Sequence, residues 1–175
     1  MWLFLASECL LFGSLIGAYL LYRGQSVVGP YPEELFDIPF TSVSAFVLLM
    51  SSVTMVLALA AIQRGDQKGL RIWLLGTALL GLLFLSGQAF EFTEFNREGL
   101  SLSSNLFGTT FYVLTGFHGA HVTVGVLILL SLLVMALRGR LTQGQSMNVE
   151  LAGLYWHFVD VVWIVIFTLV YLIQP

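Results

Sequence analysis

Five apolar runs, each long enough to cross a bilayer as a helix, leave this chain few ways to fold. They cover about residues 1–22, 40–62, 70–92, 106–137 and 151–173, and a helix spans the hydrocarbon core with roughly 20 such residues. The fold class expected is therefore all-α: a polytopic membrane protein, one domain over 1–175, built as a bundle of five transmembrane helices. Composition agrees, because a chain that is 58% hydrophobic and 10% charged cannot clothe a soluble domain of this size in polar side chains. The formal charge of −3 comes without a basic patch, which argues against nucleic acid as a partner.

The first run reads as a span rather than a secretory signal. No basic stretch precedes it, Glu8 interrupts it, and no small-residue cleavage site follows. Pro30, Pro32 and Pro39 are expected to break the first connection, and Gly65 with Gly69 the second. The fourth run exceeds the bilayer's need, so it is expected to tilt or project. Cys9, the single cysteine, cannot form an internal disulfide and reads as a small core residue.

Charge sets the orientation. Arg64, Lys68 and Arg71 flank the second connection, and Arg138 and Arg140 the fourth. The other two connections hold only Arg23 and Arg97 among Glu33, Glu34, Asp37, Glu94 and Glu98. Basic loops stay cytoplasmic, which puts the N-terminus inside and the C-terminus outside.

Ionisable groups inside the runs are the candidate functional residues. A carboxylate near the bilayer centre costs roughly 2.5–3.5 kcal/mol on insertion scales, so it needs a partner or a task. The last run carries Trp156, His157, Asp160 and Trp163. His157 and Asp160 are helical neighbours, while Trp156, Asp160 and Trp163 share a side to within about 60°. Glu8 lies roughly 10 Å into the first run, and His157 with Asp160 roughly 10–15 Å into the last, counted from the cytoplasmic side. These three are expected to share one layer, either as a proton relay or as buried groups that lock helix packing. Gln88, Glu91 and Glu94 descend from the outer end of the third run, as a hydrated helix end or a lipid-headgroup contact. His118 and His121 sit one turn apart beside Gly116, Gly119 and Gly125, small residues that let another helix approach closely. Their spacing can chelate a metal, but two ligands are too few for a stable site, so no metal is assigned and both read as buried hydrogen-bonding histidines. The tryptophans read as interface or packing residues.

Several blocks together carry a resemblance. They are Leu5-Ala6-Ser7-Glu8 with Phe12, Ser51-Ser52-Val53-Thr54, Gly65-Asp66 with Lys68, and Gln88-Ala89-Phe90-Glu91. Gly108-Thr109-Thr110-Phe111 follows, then Thr115-Gly116-Phe117-His118-Gly119-Ala120-His121-Val122 and Tyr155-Trp156-His157-Phe158-Val159-Asp160-Val161-Val162-Trp163. In this order and spacing, over nearly the whole chain, they resemble subunit III of haem–copper terminal oxidases, in its five-helix bacterial form. The resemblance implies a non-catalytic subunit with no cofactor of its own, haem and copper residing in partner subunits. It implies contact with subunit I, with subunit II and further oxidase or supercomplex subunits nearby, and bound phospholipids. It also implies stabilisation of the complex during turnover and help in delivering oxygen and protons, with Glu8 on the family's membrane-buried acid. The implied location is the bacterial cytoplasmic membrane. Two departures stand out: the two further N-terminal helices of the mitochondrial form have no counterpart, and Met55-Val56-Leu57-Ala58 replaces the family's Trp-Ala-His-His run. The rival readings are a quinol-oxidase subunit III, a denitrification accessory paralogue, and a free-standing transporter. The last would need a continuous polar path, which apolar Leu79 to Leu85 interrupts.

Overall fold

The computed structural model describes residues 1–22, 37–97, 99–100 and 106–173. Arg23, Pro30, Pro32, Glu33, Glu34 and Glu98 lie outside the described residues. Five long helices account for nearly all of the rest: α1 (Trp2–Tyr22), α2 (Ile38–Gln63), α3 (Gln67–Arg97), α4 (Leu106–Leu137) and α5 (Ser146–Phe167). A 3-10 turn, Gln143–Gln145, leads into α5, and a π-helical turn, Thr168–Leu172, prolongs it. Each of the five is long and apolar enough to cross a membrane, so the expected all-α bundle of five spans is the observed one. α4, with 32 residues, is ~48 Å long at 1.5 Å per residue, well beyond the hydrocarbon thickness.

Local chemistry accounts for the helix ends. Asp37 caps α2, its carboxylate accepting from the Phe40 amide at 3.2 Å. Pro39 sits in that first turn, where a missing N–H is harmless; it starts the helix instead of breaking the connection. At the other end of α2, Gly65 has φ +77°, and its amide and that of Asp66 return to Ile62 O and Ala61 O at 3.0 and 2.9 Å. This glycine-terminated reversal satisfies carbonyls that a helix end leaves open. Gly69, expected in the same turn, belongs to α3; its amide donates to Asp66 Oδ1 at 3.0 Å.

α2 and α3 form one antiparallel pair and α3 and α4 a second; α5 lies against both α2 and α4 and closes a four-helix ring. α1 stays outside the ring, against α4 and the edge of α5. Trp156 of α5 is the wedge at the ring's centre. Its indole N–H donates to Ser51 Oγ of α2 at 2.9 Å, and its ring fills the space left by two glycines. A Cβ added at Gly81 of α3 or Gly125 of α4 would come within 2.6 and 2.8 Å of that ring. Small residues facing a large one let backbones approach, which is how helices pack in lipid where no hydrophobic force drives them together.

One end of the bundle gathers the basic residues. Gln143 Nε2 donates to Gln63 O at 2.6 Å, joining the α4–α5 connection to the end of α2, and Arg71 Nε donates to Ala136 O of α4 at 3.2 Å. Arg64, Lys68, Arg71, Arg138 and Arg140 therefore sit at the same end. Around the barrel, large apolar side chains such as Leu3, Leu10, Val43, Phe46, Ile72 and Leu127 face outward. Cys9 joins them: it is exposed, not in the core as expected, because α1 buries only the line through Leu5, Phe12 and Tyr19.

Candidate functional site

The polar side chains inside the bundle divide into three groups, and their grouping differs from the expected one. Glu8 does not join His157 and Asp160. Its Oε2 lies 3.1 Å from His121 Nε2 on α4, while His157 and Asp160 both turn to Ser52 on α2. Depth counted along a span does not say which faces meet, and α1 packs on α4 more than on α5.

The Glu8–His121 pair stands in a groove between α1, α4 and α5. Met1, Phe4, Ala120, Val124, Ile128 and Leu151 are among its walls, and its volume is about 470 Å³. Tyr155 closes the inner side, its hydroxyl donating to His121 O at 2.9 Å, and the Phe12 ring meets the His121 ring edge-on at 5.0 Å. His121 Nδ1 is 2.7 Å from Phe117 O, a carbonyl that can only accept, so this nitrogen carries a hydrogen. The bridge on the other side then holds one shared proton, as carboxylic acid with imidazole or as carboxylate with imidazolium. Both forms have zero net charge, which is what a pair set among apolar side chains requires.

The second group links α5 to α2. Ser52 Oγ donates to Asp160 Oδ2 at 2.6 Å and, its own proton so used, accepts from His157 Nδ1 at 3.1 Å. Together with the Trp156–Ser51 bond this makes two adjacent serines the polar seam of the α2–α5 contact. A third tie crosses from α2 to α3, where the hydroxyls of Thr54 and Thr77 lie 2.8 Å apart.

The third group lies nearer the other end. Gln88 Nε2 donates to Thr115 O of α4 at 3.2 Å, and the Thr41 hydroxyl of α2 donates to Glu91 Oε1. Both Gln88 and Glu91 are buried, so neither belongs to a hydrated helix end. α3 runs on to Arg97, and these two residues face α2 and α4 inside it. Glu94 alone fits the solvated reading: its side chain is 40% exposed and accepts from Arg97 Nη1 at 2.8 Å. His118 is wholly buried; its Nε2 donates to Val159 O of α5 at 3.1 Å, and its ring lies 4.8 Å from that of Trp163. Of the glycines beside it, Gly119 receives Gln88, whose Oε1 lies 2.7 Å from where a Cβ would stand, but Gly116 faces open space.

Among the described residues no three His, Cys, Asp or Glu side chains gather as a metal-binding group; His121 uses both ring nitrogens in hydrogen bonds and His118 uses Nε2. Phe84, Trp156 and Trp163, all fully buried, fill the interior between the polar groups. Ser52, Ser51, Thr41 and Thr115 went unassigned in the sequence reading. Three polar residues within four positions, Ser51, Ser52 and Thr54 around Val53, inside an apolar run were the available signal.

The geometry is that of a polytopic helical membrane protein whose intramembrane polar groups are used on one another. Comparison with known proteins gives the family. The model of cytochrome c oxidase subunit III matches residues 1–174. Cytochrome c oxidase subunit 3 of a Synechocystis species is 45% identical over 175 residues, covering 98% of this chain and 73% of that protein. Quinol oxidase subunit 3 of Bacillus subtilis is 39% identical over 171 residues, covering 98% and 84%, and cytochrome c oxidase subunit 3 of another Bacillus is 40% identical with 98% and 83% covered. The chain belongs to the cytochrome c oxidase subunit III family, a family of non-catalytic subunits of haem–copper oxidases.

Proposed function

We propose that this chain serves as subunit III of a haem–copper terminal oxidase of a bacterial cytoplasmic membrane, packed directly against catalytic subunit I. Haem and copper belong on this reading to partner subunits, with subunit II and further oxidase or supercomplex chains in the same assembly. The observation that carries it is the family match over residues 1–174. The shape supports it: α1 and the outer faces of the ring present broad apolar area to a partner or to lipid, and the α1–α4–α5 groove has the size and apolar walls to take acyl chains of phospholipid. The gathered basic end supports a cytoplasmic placement of the α2–α3 and α4–α5 connections, with the N-terminus inside and the C-terminus outside. Relatives named as quinol oxidase and as cytochrome c oxidase subunits match at similar identity, and the proposal covers both classes.

On this reading, the chain steadies the partner's flank and its bound lipid, and thereby oxygen and proton delivery, without touching the reaction. Removing it is expected to leave the haem spectrum and the initial rate near normal while activity decays during sustained turnover. Blue-native electrophoresis with haem detection tests the assembly: the chain should migrate with haem. Separate migration, or loss of a haem or copper signal in an oxidase that lacks only this chain, would refute the proposal.

A further inference from the structure

Three buried polar atoms on α4 and α5 have no hydrogen-bond partner among the described residues: His118 Nδ1, Asp160 Oδ1 and Trp163 Nε1. Their residues are 0, 5 and 1% exposed. They belong to one neighbourhood. His118 bonds the carbonyl of Val159, the residue before Asp160, and its ring lies 4.8 Å from the Trp163 ring with 30° between the planes. Trp163 follows Asp160 by three residues on α5, so the two share a side of that helix.

We propose that His118, Asp160 and Trp163 hold one buried water molecule between α4 and α5. The argument is a count of donors and acceptors. Val159 O can only accept, so His118 Nε2 carries the ring hydrogen and Nδ1 of the neutral imidazole is an acceptor. Asp160 gives its Oδ2 to Ser52, and its Oδ1 is a second acceptor. Trp163 Nε1 is a donor only. One donor cannot serve two acceptors, so a direct bond between any two of these groups strands the third. A water accepts from the indole N–H and donates to both His118 and Asp160. If Asp160 is protonated on Oδ1, the water accepts from it and from Trp163 and donates to His118; the balance closes again. Buried waters typically make about three such bonds to polar groups that otherwise lack partners. The result is a continuous line of hydrogen bonds from His157 through Ser52, Asp160 and the water to His118, tying α2, α5 and α4 together.

An experimental structure of the complex in which the chain purifies, at a resolution that shows waters, is the direct test. Expected is one ordered density within ~3.2 Å of Trp163 Nε1, His118 Nδ1 and Asp160 Oδ1. A direct Trp163–Asp160 or Trp163–His118 bond with no such density overturns the proposal, as does finding the three atoms too far apart to share one molecule. Infrared spectra of the same complex exchanged into H₂¹⁸O give a second readout that needs no crystal. A buried O–H stretch that shifts with the isotope should vanish in Trp163→Phe, which removes the donor and keeps a six-membered ring, and persist in Asp160→Asn, whose oxygen keeps the Ser52 bond while its NH₂ donates to the water, which still donates to His118. A spectrum unchanged by Trp163→Phe counts against the site.

Discussion

The four-helix ring and the helix outside it are held by different means. Half of the most apolar stretch of the last span is buried within the chain, against 11% for α1. Inside the ring, an aromatic side chain enters the gaps of glycines on two other helices, and serines and threonines cross-link the same surfaces. α1 is attached along one line, Leu5, Phe12 and Tyr19 at seven-residue intervals, and by the Glu8–His121 bridge. In lipid, apolar contact alone gives little preference for protein over acyl chains, whereas shape fit and interhelical hydrogen bonds do, at about 0.6–2 kcal/mol per bond. The ring has both in quantity. α1 is tied to the ring by the Glu8–His121 bridge, and its outward faces are free for lipid or a neighbouring chain.

The contrast predicts a ranking of substitutions. Trp156→Ala should be the most damaging, about 3–5 kcal/mol by the range for emptying a buried aromatic position; loss of the subunit from the purified complex on warming would report it. If that change is no worse than Leu10→Ala on the outward face of α1, the ring is not the core. Asp160→Ala comes next. It strands the Ser52 hydroxyl donor and should cost about 1–3 kcal/mol, while Asp160→Asn, which still accepts from Ser52, should cost less. Equal losses in the two variants would mean that the Ser52 bond contributes nothing.

The α1 link is smaller and separable. A double-mutant cycle on Glu8→Ala and His121→Ala should return a coupling of about 0.5–2 kcal/mol, read as protease access to α1 in membranes or as subunit retention. Additive effects would show that the bridge does not hold the helix. The smallest effect should be at Gly116. Alanine there meets nothing within 4 Å and should stay within ~0.5 kcal/mol of wild type, whereas Gly119→Ala must push Gln88 aside and should cost about 1–3 kcal/mol. A reversed order would place the α3–α4 contact on the other face of α4.

The individual residues show why some of this could be read in advance and some could not. Asp160, His157, Glu8 and His121 stood out because a charge or imidazole inside an apolar run demands an explanation. Their partners did not. Ser52 and Thr41 are common residues in apolar helices, and only the rotation of α2 about its axis makes one of them the acceptor of His157 and the other the donor to Glu91. Gln88 and Glu91 read as a helix end because the apolar run thins out at Phe92. α3 continues to Arg97, and the same two residues become interior. Cys9 read as core because every position of a fully apolar helix looks equally buriable.

Length and composition alone determined that there are five spans, nearly where they begin and end, and which end carries the basic connections, since each follows from the transfer of one segment from water to lipid. The sequence of blocks determined the family. Only the tertiary structure decided that Glu8 belongs with His121, that His157 and Asp160 belong with Ser52, and that Trp156 stands where four helices meet. The physical reason is the same in each case. Spanning a bilayer is a property of one helix and its residues, but which face of a span meets which neighbour depends on the fit of several helices at once. When nearly all faces are apolar, the hydrophobic pattern that orients a helix in a soluble protein is absent.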